Sequence, residues 1–70
     1  MTPNERLKAE VDAQGRKYIW LAEQMNVSAS RISELLNGKR PLDGDEIARF
    51  CIILQIPASR IIPTPYDVTA

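Results

Sequence analysis

Residues that end helices and residues that begin them recur at short intervals along this chain. Candidates for helix ends are residue types that tolerate a left-handed backbone, namely Gly15, Asn26 and the pair Asn37–Gly38. Candidates for helix starts carry side-chain oxygens that accept hydrogen bonds from the first turn, namely Thr2, Ser28 and Asp43. Thr2 and Asp43 are each followed three residues later by a glutamate, which predicts two capping boxes. This spacing leaves room only for short helices, of about two to three turns each.

Apolar residues follow helical spacing between these signals and predict one buried stripe on each helix. The stripe residues are Leu7, Val11, Tyr18, Leu21, Ala22, Met25, Ile32, Leu35, Leu36, Ile47, Phe50, Cys51 and Leu54. The segment FCIILQI is also rich in β-prone residues, so a strand is the alternative there, but the preceding cap favours a helix. Because Ile52 and Ile53 add apolar side chains on its other sides, we expect this fourth helix to be buried nearly all round. Pro57 is expected to open a short fifth helix in ASRII.

The length of the chain sets its domain organisation. Its 70 residues suffice for one small domain, near the lower limit of what a single apolar core can hold together. We predict an all-α fold, a compact bundle of five short helices, over residues 1–62. The remaining PTPYDVTA, residues 63–70, is polar and broken by prolines, so we expect a loose C-terminal tail.

Composition narrows the class of protein. Apolar residues make up 44% and charged residues 26% of the chain, as in ordinary globular proteins. No apolar run approaches the roughly 18 residues that a membrane span needs, and the polar N-terminus lacks the apolar centre of a signal peptide. The single cysteine, Cys51, cannot form an internal disulfide and is expected to be an inert, packed thiol. These features favour a cytoplasmic location.

Catalysis and cofactor binding are not expected. The chain has no histidine, and it has no metal-ligand cluster or glycine-rich phosphate loop. The acidic residues Asp43, Asp45 and Glu46 are close in sequence, but acids at a helix N-terminus are favoured by the helix dipole alone.

Charge is unevenly distributed although the formal net charge is zero. Residues 13–42 carry five basic and two acidic side chains, a surplus of +3, whereas the rest carries four basic and seven acidic ones, −3. Such an asymmetry directs an anionic partner to one face of the molecule. Chance scatter in a short chain is the alternative.

Two predicted helices joined across QMNVS by a turn of three to four residues form a helix-turn-helix arrangement. In that arrangement the first helix braces the second, whose N-terminal half enters the DNA major groove. The stretches LAEQMNVSASRIS and NGKR, with the later QIPASRI, resemble the lambda-repressor-like (Cro/phage-repressor, Xre-type) helix-turn-helix family. The resemblance covers about Leu7 to Ile62.

The resemblance implies a phage, prophage or bacterial transcriptional regulator that binds a palindromic operator in double-stranded DNA as a homodimer, through a recognition helix at residues 28–36. The implied base-reading residues are Ala29, Ser30, Ser33 and Glu34. The implied phosphate-contacting residues are Arg16, Lys17, Tyr18, Ser28, Arg31, Asn37, Lys39 and Arg40. No glutamine, asparagine or arginine occupies a reading position, so the strong bidentate pairs to adenine or guanine are missing there.

Several of these side chains have a second interpretation. Glu34 either accepts a hydrogen bond from a cytosine amino group or pairs with Arg31 or another basic residue. Lys39 and Arg40 either contact phosphates or act as solvated charges that favour the helix dipole. Tyr18 lies on a core stripe, so partial burial is the alternative to a phosphate contact.

The rival function is a protein-interaction module, antitoxin-like or adaptor-like, with little or no DNA binding of its own. Trp20 either packs on a neighbouring helix or joins Ile19 in a protein-binding patch. Ile61 and Ile62 either close the core or contribute a dimer contact. No membrane partner is expected.

Overall fold

The computed structural model describes residues 2–62, and the tail expected at residues 63–70 lies outside this described part. Four α-helices follow one another, α1 (Pro3–Gln14), α2 (Tyr18–Met25), α3 (Ala29–Leu36) and α4 (Gly44–Leu54). A single 3-10 turn, Ala58–Arg60, follows α4. Over residues 2–62 there is no strand, so the all-α prediction is confirmed and the strand alternative for FCIILQI is wrong. None of the helices in this part combines the length and apolarity needed to cross a membrane.

Helices α1, α3 and α4 begin after capping residues predicted from the sequence, namely Thr2, Ser28 and Asp43. The Thr2 hydroxyl accepts from the Glu5 N–H at 3.1 Å, and the Glu5 carboxylate accepts from the Thr2 N–H at 2.8 Å. The bond from the Thr2 N–H to the carboxylate, and after it the nearby Thr2 hydroxyl, hold the pKa of Glu5 below its usual value. Asp43 and Glu46 form the second capping box at the start of α4. Both predicted boxes are therefore confirmed.

The fifth α-helix predicted from the sequence is wrong, since the described part holds four α-helices. The Arg60 N–H bonds the Pro57 carbonyl at 3.1 Å and the Ile61 N–H bonds the Ala58 carbonyl at 3.0 Å, the three-residue spacing of a 3-10 turn. One bond of α-type, from the Ile62 N–H to the Ala58 carbonyl, closes the turn. The proline that follows Ile62 disfavours helical backbone at that residue, so the turn does not extend into an α-helix.

The core lies where α3 packs on α1 and α2, with α4 against α2 and the 3-10 turn against α4. Its completely buried side chains are Leu7, Val11, Leu21, Ile32, Leu35, Leu36, Phe50 and Ile61. All predicted stripe residues are buried except Tyr18, which is half-buried against this core. Ile61 thus closes the core, as one of its two interpretations predicted.

The expected all-round burial of α4 is wrong. Ile52 is 76% exposed, and Ala48 and Arg49 are exposed with it. Within the described part, α4 has neighbours on the side of Phe50 and Leu54, and its outer side faces solvent. An apolar composition on every side of a helix therefore did not indicate a neighbour on every side.

Two amide side chains of α1 hold the ends of other helices. The Asn4 Nδ2 donates to the Leu35 carbonyl at 2.7 Å and to the Arg40 carbonyl at 2.8 Å. The Gln14 Nε2 donates to the Leu54 carbonyl at 2.8 Å. The last carbonyls of a helix have no partner within the helix. Gln14 satisfies the one at Leu54. Asn4 adds a second bond to the Leu35 carbonyl, which also accepts from the Gly38 N–H at 3.3 Å.

Candidate nucleic-acid interface

The position of α3 follows from the turn that precedes it. Asn26 adopts a left-handed backbone with φ 59°, which ends α2. Val27 packs half-buried against the core, and its N–H bonds the Ala22 carbonyl at 3.0 Å. Ser28 then begins α3, and its hydroxyl accepts from the Arg31 N–H at 3.1 Å. Three residues, 26–28, thus join the two helices.

One side of α3 is apolar and the other is polar. Ile32, Leu35 and Leu36 are at most 1% exposed. The residues predicted to read bases lie away from them, and we call this surface the α3 outer face. It consists of Ala29 and Ser30, which are exposed, and Ser33 and Glu34, which are half-buried.

Two residues that follow α3 bond to side chains of its outer face. The Asn37 Nδ2 donates to the Ser33 hydroxyl at 3.2 Å. The Arg40 Nε donates to Glu34 Oε1 at 2.7 Å, and the two side chains remain 50% and 42% exposed. An ion pair this exposed contributes about 1 kcal/mol or less to stability. Its main consequence is to bring the guanidinium of a loop residue onto the α3 outer face.

Arg31 lies on the flank of α3 but is tied to α4. Its Nη2 donates to Glu46 Oε2 at 3.1 Å, and only 12% of the Glu46 side chain is exposed. The other oxygen of that carboxylate accepts from the Asp43 N–H at 3.2 Å. The pair therefore connects α3 to the N-terminus of α4, and a phosphate contact by Arg31 has to compete with it.

The start of α2 carries the remaining predicted phosphate contacts. Arg16 and Lys17 are exposed, and Lys17 is the N-cap residue without a side-chain capping bond. The Arg16 guanidinium carbon lies 4.5 Å from the ring centroid of Trp20, a cation–π contact that orients it. Tyr18 and Trp20 are both half-buried against the core, as their packing interpretations predicted, and the phosphate contact of Tyr18 and the protein-binding patch at Trp20 stay predictions.

Three of the predicted cations have no carboxylate partner among residues 2–62, namely Arg16, Lys17 and Lys39. Arg31 and Arg40, by contrast, are neutralised by Glu46 and Glu34. The structure therefore divides the predicted basic set into free and paired members.

Sequence reasoning missed the residues that hold this surface in place. Asn4 fixes the Arg40 carbonyl, and Arg49 Nη2 donates to the Met25 carbonyl at the end of α2 at 2.9 Å. Glu46 was identified only as a capping residue, without its bond to Arg31. No local pattern indicates these contacts, because each one joins elements that are far apart in sequence.

No group of acidic or cysteine side chains in residues 2–62 is arranged to hold a metal ion. The Cys51 thiol is buried on α4, away from the α3 outer face, and burial raises its pKa. No family model matches the chain, and comparisons with curated proteins and with solved structures find no match. Any functional conclusion therefore rests on the sequence and the geometry of the chain itself.

Proposed function

We propose that this protein is a sequence-specific DNA-binding transcriptional regulator that places α3 in the major groove. The observation that carries the proposal is the polar α3 outer face on a helix that follows α2 after residues 26–28. A helix of this kind, braced by the one before it, is the form in which helix-turn-helix proteins meet the major groove. The resemblance of LAEQMNVSASRIS and NGKR to the lambda-repressor-like family supports the same assignment.

The free cations supply attraction to phosphate, and the α3 outer face supplies preference for sequence. Arg16 and Lys17 at the start of α2, with Lys39 after α3, are exposed and have no carboxylate partner among residues 2–62. Serine hydroxyls hydrogen-bond to many base edges, and the Ala29 methyl group fits a thymine methyl. Because these contacts are individually weak, the protein acts as a homodimer whose two α3 helices occupy half-sites about one helical turn apart.

The count of free cations predicts how binding depends on salt. Three phosphate contacts per protomer give a slope of log affinity against log salt of roughly −3 for a monomer and roughly −5 for a dimer. Between about 50 and 200 mM salt, the affinity of a dimer therefore falls by roughly 2,000-fold, and that of a monomer by roughly fortyfold.

Selection from a random duplex pool at these two salt concentrations tests the proposal. We expect the protein to enrich a palindrome and to lose affinity as the dimer slope predicts. The double variant Lys39→Glu/Arg40→Glu should abolish enrichment. A matched control, Lys8→Glu/Arg60→Glu, changes the net charge equally at two exposed ion pairs away from α3 and should retain it. Failure to enrich any sequence at the lower salt, or equal loss in both double variants, contradicts the proposal.

Two exposed apolar side chains favour a second candidate function, that of a protein-interaction module. Ile19 on α2 is 64% exposed and Ile52 on α4 is 76% exposed. If this function holds, Ile19→Ser and Ile52→Ser weaken binding of a protein partner, and Lys39→Glu/Arg40→Glu leaves it intact. DNA-binding regulation predicts the opposite sensitivity, since neither isoleucine belongs to the α3 outer face.

A further inference from the structure

Arg40 is held at both its backbone and its side chain. Its carbonyl accepts from the Asn4 Nδ2 at 2.8 Å, which fixes the loop against α1. Its Nε donates to Glu34 at 2.7 Å, which fixes the guanidinium against α3. Half of its side chain is nevertheless exposed. An exposed arginine is usually free to sample many rotamers, so this degree of fixation indicates a defined orientation.

The bond to Glu34 leaves most of the guanidinium free. A guanidinium carries five N–H groups, and Glu34 takes the one at Nε. Within residues 2–62, no hydrogen-bond partner holds the groups at Nη1 and Nη2. The end of the planar fork is therefore open for a bidentate contact at the α3 outer face, to which Glu34 holds it.

We propose that Arg40 reads a guanine in the major groove and that Glu34 is the residue that positions it. The proposal rests on the DNA-binding function above and names the specificity-determining residue of that same surface. Guanine presents O6 and N7 as two adjacent acceptors, which match the fork of an arginine. Arg40 thus supplies the bidentate reader that α3 lacks within its own sequence.

The charge of the pair favours a base edge over a phosphate. Glu34 neutralises Arg40, so the pair as a whole offers little attraction to an anion, and its carboxylate repels a phosphate oxygen nearby. A guanine edge carries no net charge and needs only the two donors. Lys39, which has no carboxylate partner within the described part, is better suited to the phosphate contact.

A double-mutant cycle on the sequence selected by the wild type tests this assignment. Affinities are measured for that site and for the same site with one G·C pair replaced by A·T, at each position in turn. We expect a position at which the wild type prefers G·C by about tenfold or more, as a bidentate pair supplies. Arg40→Gln should remove this preference, and Arg40→Lys should reduce it while keeping the charge.

Glu34→Ala should lower the preference for G·C and raise the affinity for DNA of any sequence. Loss of the positioning carboxylate weakens the preference at the same position by about threefold or more. It also frees the charge of Arg40, so affinity for all sequences rises and the salt slope steepens by about one per protomer. In the Arg40→Gln background, Glu34→Ala should change the preference no further. The matched pair Glu10→Gln and Arg60→Gln, another exposed ion pair, should leave the preference unchanged.

Three results separate the alternatives. If Arg40→Gln weakens binding to all sequences equally and lowers the salt slope by about one, Arg40 contacts a phosphate and the inference is wrong. If Glu34→Ala still removes a G·C preference in the Arg40→Gln background, Glu34 reads cytosine directly and the inference is wrong. If the wild type selects no sequence, DNA binding itself is contradicted and the inference falls with it. Thermal unfolding of each variant verifies that its fold is retained.

Discussion

Asn4 offers a sharp test of how the candidate interface is supported. Asn4→Ala removes two hydrogen bonds, a half-buried one to the Leu35 carbonyl and an exposed one to the Arg40 carbonyl. Water replaces the exposed bond at small cost, whereas loss of the half-buried bond to the Leu35 carbonyl lowers the free energy of unfolding by about 1–1.5 kcal/mol. The higher helix propensity of alanine returns about 0.5 kcal/mol. We therefore expect a net loss of about 0.75 kcal/mol of unfolding free energy, a fall in Tm of about 3–6 °C for a domain of this size.

Thermal unfolding followed by far-UV circular dichroism measures this change. Asp12→Ala is the matched control, because it makes a similar gain in propensity on the same helix and loses only the exposed pair with Lys8. Its Tm should lie within about 2 °C of the wild type. Asn4→Asp keeps the shape of the side chain but turns an acceptor toward two carbonyl oxygens, so it should destabilise more than Asn4→Ala. If Asn4→Ala behaves like the control, or if Asn4→Asp is the more stable of the two, these bonds do not hold α1 to α3.

Three further predictions concern residues outside the interface. Since the folded-state pKa of Glu5 is lowered, its carboxylate stabilises the fold above its ordinary pKa of 4.5, and that contribution is lost as pH falls through the lowered value. The stability difference between wild type and Glu5→Gln should accordingly disappear in acid, and a difference that persists below pH of about 2 contradicts this reasoning. Burial and a raised pKa make the Cys51 thiol react with a maleimide far more slowly in the folded protein than in urea, and equal rates would show that it is accessible. On α4, Ile52→Ser should change the free energy of unfolding by no more than about 0.5 kcal/mol, whereas Phe50→Ala should lower it by about 3–5 kcal/mol. Urea unfolding followed by Trp20 fluorescence measures both values. Comparable losses in the two variants would contradict the burial pattern.

Local signals in the sequence were enough to predict where α1, α3 and α4 begin. They did not indicate the start of α2 after Lys17, which makes no side-chain capping bond, or the left-handed backbone of Gln55 (φ 58°) that ends α4. Ser28 and Asp43 are capping residues whose side chains bond within three residues, so their effect does not depend on the rest of the fold. The stripes likewise predicted which sides of the helices are buried. Burial of α4 was overestimated because composition shows which side chains are apolar but not how many neighbouring helices are there to cover them. Ile52 is exposed because no neighbouring helix in the described part covers it.

The candidate interface could be located from the sequence, but its internal contacts could not. Ser30 and Glu34 are placed opposite the core stripe by helical geometry alone. The partners of the arginines depend on tertiary structure, since Arg31 bonds Glu46 fifteen residues away and Arg40 returns across the end of α3 to Glu34. The sequence offers several acidic residues as partners for each arginine. Only the packing of the helices decides which of these carboxylates lies close enough to form the ion pair.

The hydrogen bond between Gln14 and Leu54 can form only after both residues have been translated. The two residues are 40 positions apart, so at roughly 5–20 residues per second the ribosome adds Leu54 about two to eight seconds after Gln14. During that interval α1, with only 12 residues, is too short to be a stable helix in water on its own. The C-terminal end of α1 is thus held only after α4 has been synthesised, and Leu7 and Val11 stay uncovered in the nascent chain until the helices that cover them arrive.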